Sequence, residues 1–260
     1  MPRYALDLEF DGRAFLGSQI QASGRTLQGV LAEAVSALVQ SPVMPRPASR
    51  LDQGVSAESL PCDITLATAW QPRELLAALN ARLPRDLVIR RVAPVDDDWS
   101  AQHDAQGKSY RYCLVQRPTR PALPSLATWV RRIDHPERLS QLAATLVGTH
   151  DLSGFACLRR DESDADDPVR AVRCAQWTAE PIPGGLGWTF RIIGTGFLYK
   201  QIRGMVGAML VVAQGRRPLA EFETTVRLGR AAPRLGNVAP AHGLVLERVD
   251  YAFPPDWQEA

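Results

Sequence analysis

Apolar and polar residues alternate over the first ten positions of the chain. The alternation places four large side chains on one face, namely Tyr4, Leu6, Leu8 and Phe10. This two-residue period predicts a half-buried strand. After a polar stretch, Thr26 is placed to cap a helix with one apolar face formed by Leu27, Val30, Leu31, Ala34, Val35 and Leu38.

The residues up to Val95 continue this pattern of strands and helices. A strand is predicted near Cys62 to Ala67, a helix near Pro72 to Leu83, and a strand near Leu87 to Val95. The resulting order is β-α-β-β-α-β. It predicts an α+β fold of the ferredoxin-like kind, with helices packed on one face of a mostly antiparallel sheet.

The second part of the chain repeats this kind of order without a residue-level repeat. A strand beginning at Lys108 places Tyr110, Tyr112 and Leu114 on one face. Further elements are predicted near Pro136–Leu146 (helix), Arg170–Thr178 and Trp188–Ile193 (strands), Leu198–Ala213 and Leu219–Leu228 (helices) and Leu244–Tyr251 (strand). We therefore expect two ferredoxin-like halves, residues 1–105 and 106–260.

One segment lacks the apolar residues that a folded element needs. Arg159 to Asp167 is RRDESDADD, and its one apolar residue is Ala165. This composition predicts a surface loop. The loop is either simply solvated or a mobile flap that closes on a ligand.

Charge gives only local hints of a nucleic-acid partner, because the formal net charge is +2. The basic residues form clusters: Arg159 and Arg160, Arg170 and Arg173, Lys200 and Arg203, Arg216 and Arg217, and Arg227, Arg230 and Arg234. Among 30 basic residues only Lys108 and Lys200 are lysines. This preference for arginine over lysine suits phosphate binding, since guanidinium groups bind phosphate in a bidentate manner. A GC-rich genome produces the same preference.

The distribution of cysteine, histidine and apolar residues argues against several other classes of function. Four cysteines and four histidines are scattered without a CxxC pair, so we expect no zinc site and no cofactor. The longest apolar run, Met205 to Ala213, is too short to cross a bilayer, and the first ten residues do not form a signal-peptide core. The sequence thus predicts a cytoplasmic protein.

Three segments carry residues suited to chemistry, although each has a structural alternative. Asp52 lies in SRLDQGVSA (Ser49 to Ala57), two residues after Arg50, where an aspartate is more often a turn former than a catalytic group. Tyr110 lies in KSYRY, where it either packs in the core or stacks on a base. Arg203 follows FLYKQI on a predicted helix, where it either holds a carboxylate or covers apolar neighbours.

Together these segments resemble the TruA family of tRNA pseudouridine synthases over nearly the whole chain. Five segments in the family's order carry the resemblance: FDGRAFLGSQIQ with TLQGVL, SRLDQGVSA, SAQHDAQGKSYRY, GTHDLSGF, and GFLYKQIRGMVG with NVAPAHGLVL further on. A single segment of this length is weak support, whereas five in the same order are specific.

The resemblance implies a function and a set of site residues. By this resemblance Asp52 is the catalytic aspartate, Arg50 its partner in the loop, Tyr110 the tyrosine that stacks on the target uracil, and Arg203 the arginine that pairs with the aspartate. Lys108 and Lys200, in the same motifs, are expected to bind the substrate. The family's members are cofactor-free homodimers with a central RNA-binding cleft, and they act on the anticodon arm of tRNA at about positions 38 to 40.

The chain departs from the family's usual pattern around the aspartate. Where the family usually has GRTDAGVHA, this chain has Ser49, Leu51, Gln53 and Ser56 in place of Gly, Thr, Ala and His. In addition, Ser18 stands where the family usually has Trp or Phe, and Gln102 where Arg is common. These changes support an alternative function, a catalytically impaired tRNA-binding or chaperone relative of the family. A small-molecule enzyme on the same scaffold is a third possibility that only fold analogy supports.

Overall fold

The computed structural model describes residues 1–123, 125–157 and 167–259. The predicted surface loop Arg159–Asp167 lies, apart from Asp167, outside the described residues. The helices are α1 (Leu27–Val39), α2 (Pro72–Asn80), α3 (Glu137–Ala144), α4 (Gln201–Ala213) and α5 (Leu219–Leu228). The strands are β1 (Arg3–Phe10), β2 (Arg46–Pro47), β3 (Ser56–Thr65), β4 (Leu87–Val95), β5 (Ala105–Gln116), β6 (Thr128–Val130), β7 (Gly148–Asp151), β8 (Val169–Ile182), β9 (Gly185–Gly194), β10 (Leu244–Tyr251) and β11 (Gln258–Glu259).

These elements form two compact units. The first contains Met1–Lys108 together with the residues from Val245 onward, and the second contains Ser109–Leu244. Helices and mostly antiparallel strands alternate in both, so the predicted α+β class is confirmed. The residues from Val245 onward, which the sequence placed with the second half, pack in the first unit because β10 pairs with β3.

The first unit has the element order β1-α1-β2-β3-α2-β4, which matches the β-α-β-β-α-β order expected from the sequence, although the sequence located no strand at β2. Strand β1 lies between β3 and β4 and is antiparallel to both, and β2 pairs with β3. Strand β10 then joins the sheet parallel to β3, with Val245 opposite Ser56, and β11 pairs with β4. The start of β3 is therefore held between two strands.

Strand β1 is more deeply buried than its alternating sequence suggests. The expectation of a half-buried strand is wrong, because seven of its eight residues are buried. Asp7, on the polar face, is fully buried and accepts hydrogen bonds from Arg91 (2.6 Å) and Ser59 (2.6 Å). A buried carboxylate is tolerated only with such charged and hydrogen-bonding partners, so the polar side chain does not mark an exposed face here.

Helix α1 follows from its sequence as expected. Thr26 is extended, and its Oγ1 accepts a hydrogen bond from the Gly29 N–H at 3.2 Å, which satisfies one of the donors that a helix start leaves unpaired. The buried face contains Leu27, Leu31, Ala34 and Val35. The helix ends at Val39, after which Gln40 adopts the left-handed conformation.

The second unit is built on the sheet order β5-β9-β8-β7, with β6 alongside β5. Strands β8 and β9 form a long antiparallel hairpin, and α3, α4 and α5 contact one another. Two glycines let other chain segments approach α4 closely. A Cβ atom on Gly204 would lie 1.8 Å from the Phe155 carbonyl oxygen, and one on Gly207 would lie 1.8 Å from that of Asn237.

Several element boundaries differ from those predicted. Helix α4 begins at Gln201 and not at Leu198, because Lys200 is in the left-handed conformation (φ 58°) and interrupts the helix. Strand β3 begins at Ser56, six residues earlier than expected, because it is buried on both faces and has no alternation. Gly207 is among the buried residues of helix α4.

Candidate active site

Asp52 lies in a tight turn between two buried apolar residues. The Val55 N–H donates to the Asp52 carbonyl oxygen at 3.1 Å, and Gly54 has a φ of 84°. A turn of this kind needs a residue with positive φ, which glycine adopts without steric cost. Leu51 and Val55 are buried, whereas the Asp52 side chain between them is half-buried. The carboxylate therefore extends from a backbone segment that is fixed on both sides.

A second loop, Gly12–Ser18, lies against this turn. The Ser18 N–H donates to the Leu51 carbonyl oxygen at 3.0 Å, and the Leu51 N–H donates to the Ser18 Oγ at 2.7 Å. At the other end, the Gly12 N–H donates to the Ser56 Oγ at 3.0 Å. We call Leu51–Ser56, which includes the first residue of β3, the Asp52 loop. It is hydrogen-bonded to the neighbouring loop on both sides of the aspartate.

Gly12 illustrates how close the two loops come. A Cβ atom at this position would lie 1.9 Å from the Val55 carbonyl oxygen, so no residue other than glycine fits without movement of the backbone. This contact with the Asp52 loop explains the glycine of the FDG segment (Phe10 to Gly12) at the end of β1. The sequence linked the two segments through the family resemblance and gave no other sign of their contact.

Two basic residues predicted to belong to the site lie in the first unit with Asp52. Arg50 is exposed and lies two residues before the aspartate. Lys108 is half-buried, and its Nζ donates to the Ser49 Oγ at 3.2 Å. Lys108 is the fourth residue of β5 and not its first, as the sequence suggested. The structure thus brings Lys108 to the beginning of the segment that carries Arg50 and Asp52.

Tyr110 and Tyr112 share one face of β5 in the second unit, as predicted, but they have different surroundings. The Tyr110 ring is 5% exposed and contacts Phe197 edge-on, with 5.6 Å between ring centroids and an interplanar angle of 86°. Tyr112 is fully buried, and its hydroxyl donates to the Pro240 carbonyl oxygen at 2.8 Å and hydrogen-bonds with Thr128 Oγ1 at 2.7 Å. Burial raises the pKa of Tyr112, against the hydrogen bond from Thr128 and the charge of Arg203.

Arg203 lies in the first turns of α4 with its side chain held by the backbone. Its Nε donates to the Ala239 carbonyl oxygen at 2.8 Å, and the Ala239 N–H donates to the Arg203 carbonyl oxygen at 3.0 Å. The same residue of the NVAPAHG segment therefore contacts both the main chain and the guanidinium of Arg203. The guanidinium is fixed in place, which the sequence alone could not decide.

Lys200 and Tyr199 lie in a turn before α4. The Lys200 Nζ lies 4.7 Å from the centroid of the Tyr199 ring, a distance at which a cation interacts favourably with an aromatic face. The helix predicted from Leu198 would place Tyr199 one helical turn before Arg203, and this is wrong because the helix begins only at Gln201. The Tyr199 carbonyl oxygen instead accepts a hydrogen bond from the Cys157 N–H at 2.9 Å.

The predicted residues thus fall into two sets. The first unit contains Asp52, Arg50 and Lys108, and the second contains Tyr110, Arg203 and Lys200. Within the described ranges, no group of three or more His, Cys, Asp or Glu side chains is arranged to hold a metal ion. In the same ranges, no helix is long and apolar enough to span a membrane.

Comparison with known proteins identifies the family. A family model described as tRNA pseudouridine synthase matches residues 142–252. A tRNA pseudouridine synthase A from Shouchella clausii is 34% identical over 258 residues, which cover 98% of this chain and 95% of the relative. One from Methylobacterium nodulans is 36% identical over 253 residues, 96% of each chain. The chain belongs to the tRNA pseudouridine synthase A family. One from Staphylococcus aureus, 30% identical over 253 residues, covers 95% of the chain and 90% of the relative.

Membership of the tRNA pseudouridine synthase A family confirms the resemblance and the enzyme class, since pseudouridine synthases are isomerases. The resemblance also bears on three serines of the first unit. Ser18, Ser49 and Ser56, which the resemblance marks as departures from the expected pattern, each form one of the hydrogen bonds described above.

Proposed function

We propose that the chain is a cytoplasmic tRNA pseudouridine synthase that isomerises uridines in the anticodon stem-loop, at about positions 38 to 40, with Asp52 as its indispensable carboxylate. The observation that carries the proposal is the similarity to tRNA pseudouridine synthase A relatives over 96% or more of the chain in two species. The fixed backbone on both sides of Asp52 supports the choice of this carboxylate.

The reaction itself explains why one carboxylate suffices. The bond between N1 of uracil and C1′ of ribose breaks, a bond between C5 and C1′ forms, the proton on C5 leaves to water, and N1 gains a proton. No atoms are gained or lost overall, so no oxidant, reductant or external group is required. An ionised Asp52 serves as a nucleophile toward the sugar or the base, or removes a ribose proton, and the residues leave these three routes open.

The residues of the second unit receive their roles in this proposal from the family resemblance. A uridine stacked in a stem must leave the helix before it reacts, at a cost of a few kcal/mol, and stacking on Tyr110 recovers part of that cost. Because the Tyr110 ring is 5% exposed, the uracil has to enter a nearly enclosed position. Arg203, whose Nε donates to the Ala239 carbonyl oxygen, is the arginine that the family resemblance assigns as the partner of the aspartate.

Three further basic residues are assigned to RNA binding. Arg50, Lys108 and Lys200 supply charge for the tRNA backbone, and such contacts are read by shape and charge and not by base sequence. The contact between Lys108 and Ser49 supports this assignment for Lys108, because it holds the ammonium group close to the segment that carries Asp52.

The proposal is tested with an unmodified tRNA transcript and three proteins, namely the wild type, Asp52→Asn and Asp98→Asn. Asp98 is an exposed acid on a turn of the same unit, so Asp98→Asn is a control for the same chemical change elsewhere. We expect pseudouridine from the wild type and Asp98→Asn and none from Asp52→Asn, as measured by chemical mapping along the tRNA.

Other outcomes would contradict parts of the proposal. Equal product from Asp52→Asn would remove this carboxylate from the mechanism. Pseudouridine outside the anticodon arm would contradict the proposed position. Binding of tRNA without product from any of the three proteins would favour the impaired, RNA-binding relative.

We also propose that the protein is a homodimer, as the family resemblance implies. Sedimentation of the purified protein should give twice the chain mass of 28.6 kDa, with and without tRNA. A single chain mass at micromolar concentration would contradict the dimer and leave the proposed reaction untouched.

A further inference from the structure

Ser18 binds the two peptide groups that directly precede Asp52. The Leu51 N–H belongs to the peptide group between Arg50 and Leu51, and it donates to the Ser18 Oγ at 2.7 Å. The Leu51 carbonyl oxygen belongs to the peptide group between Leu51 and Asp52, and it accepts from the Ser18 N–H at 3.0 Å. Because a peptide group is planar, fixing these atoms fixes both planes that lead to the aspartate.

This arrangement is protected from water. The Ser18 side chain is 2% exposed, and Leu51 is also buried. A hydrogen bond to a buried peptide N–H is costly to remove, because the donor then has neither a protein partner nor water. Water therefore cannot take the place of the Ser18 hydroxyl without a movement of the loop.

The bond from the Leu51 N–H is a property of this chain's own sequence. The position of Ser18 is one where the family usually has Trp or Phe, and neither of those side chains carries an atom that accepts a hydrogen bond. The second attachment of the loop, from the Gly12 N–H to the Ser56 Oγ, also uses a serine at a departure from the family pattern. The chain thus uses two buried hydroxyl groups to hold the Asp52 loop.

We propose that Ser18 is a positioning residue for Asp52, which sets the place of the carboxylate by fixing the two peptide planes before it. This inference rests on the proposed function, in which Asp52 is the catalytic carboxylate. Ser18 does not touch the reacting atoms in this proposal. It acts through the backbone of Leu51.

Removal of the hydroxyl should therefore slow the chemical step and leave tRNA binding unchanged. A catalytic group displaced by about 1 Å loses up to roughly a hundredfold in rate. In Ser18→Ala the N–H of Ser18 still holds one peptide plane, so we expect a loss of about tenfold to a hundredfold. Affinity for tRNA depends on basic residues elsewhere and should stay within about twofold.

The chain offers a matched control for the loss of a serine hydroxyl. Ser36, at the end of α1, makes the same pair of side-chain contacts with Val43 that Ser18 makes with Leu51. The Val43 N–H donates to the Ser36 Oγ at 2.9 Å, and the Ser36 Oγ lies 3.5 Å from the Val43 carbonyl oxygen. The corresponding distances for Ser18 and Leu51 are 2.7 and 3.5 Å. Ser36→Ala thus removes a similar interaction that is not attached to the Asp52 loop.

The experiment measures binding and chemistry separately. Single-turnover reactions with excess enzyme use tRNA labelled with tritium at C5 of uridine, since release of the label reports loss of the C5 proton. The temperature is kept well below the lowest unfolding midpoint of the variants. Filter binding gives the Kd of each variant for the same tRNA. We expect a slower rate for Ser18→Ala with an unchanged Kd, and a wild-type rate for Ser36→Ala.

A rate for Ser18→Ala within about twofold of that for Ser36→Ala would overturn the proposal, as would a loss that appears only in Kd. If Ser18→Ala does not fold, Ser18→Cys replaces it, since a thiol has a similar size and is a weaker acceptor. A wild-type rate in Ser18→Cys would also overturn the proposal. Asp52→Asn is measured in parallel, and activity in that variant would refute the proposed function itself and not the role of Ser18 alone.

Discussion

Arg25 and Asp86 form an ion pair that attaches the segment before α1 to the turn before β4. The two side chains meet in a bidentate arrangement, with distances of 2.8 and 2.7 Å, and the guanidinium carbon lies 4.1 Å from the centroid of the Phe15 ring. The Arg25 carbonyl oxygen also accepts from the Leu16 N–H at 2.9 Å. This pair therefore supports the loop that includes Ser18.

The pair predicts how stability depends on pH. Hydrogen bonds from Arg25 hold the pKa of Asp86 below its ordinary value of 3.8, although partial burial opposes them. A carboxyl group whose pKa is lowered by folding stabilises the protein above its unfolded pKa, and this contribution is lost as the pH falls through the folded pKa. Asp86→Asn should therefore unfold at a lower temperature than the wild type at pH 7.

Thermal unfolding of both proteins between pH 7 and about pH 2 checks this expectation. The difference in midpoint should shrink as the pH falls below 3.8 and should be absent at the acid end. Asp98→Asn serves as the control and should match the wild type at pH 7, because Asp98 is exposed on a turn. A difference that is constant over the whole range would show that the charge of Asp86 does not stabilise the fold.

At the scale of elements, the sequence predicted those helices and strands whose burial is one-sided. Thr26 and the apolar positions of α1 predicted a helix close to the one observed, because one buried face and one cap determine it. The start of β3 was predicted six residues late, because burial on both faces removes the alternation that marks a strand. The start of α4 was predicted three residues early, because nothing in FLYKQI announces that Lys200 adopts a positive φ.

The sequence proposes residues for the candidate site but gives no sign of the hydrogen bonds around them. Asp52, Tyr110 and Arg203 were found because they stand in motifs that resemble a family, and their roles stay predictions. The contacts of Ser18 with Leu51 and of Lys108 with Ser49 join residues 33 and 59 positions apart. A single sequence has no signal for such pairs, and serine is too common in loops to suggest them.

At the scale of the whole molecule, the first unit is made from two separate parts of the chain. Strand β10 pairs with β3 where the Asp52 loop ends, with Val245 opposite Ser56. The Tyr251 hydroxyl donates to the Ala101 carbonyl oxygen at 2.7 Å, and its ring lies 5.3 Å from that of Trp99. The sequence predicted the strand but not its partner, because pairing across more than a hundred residues leaves no local pattern.

The discontinuity predicts the effect of shortening the chain. A variant that ends at Leu244 loses β10 and exposes the backbone edge of β3, so we expect it to lack a cooperative unfolding transition for the first unit. A variant that ends at Phe253 keeps β10 and should unfold cooperatively at a lower midpoint than the full chain. Circular dichroism and calorimetry of the three proteins check this order, and a stable first unit without β10 would contradict it.

The position of β10 after the second unit in the sequence also matters while the chain is being synthesised. The residues of the Asp52 loop are made before the second unit, but the strand that pairs beside them is made after it. At about 5 to 20 residues per second, this strand follows Lys108 by roughly 7 to 30 seconds. During that interval the second unit, which is continuous, is being synthesised, while the nascent first unit has an unpaired strand edge next to its carboxylate. The newly made chain therefore depends on β10 both to protect that edge from aggregation and to complete the structure around Asp52.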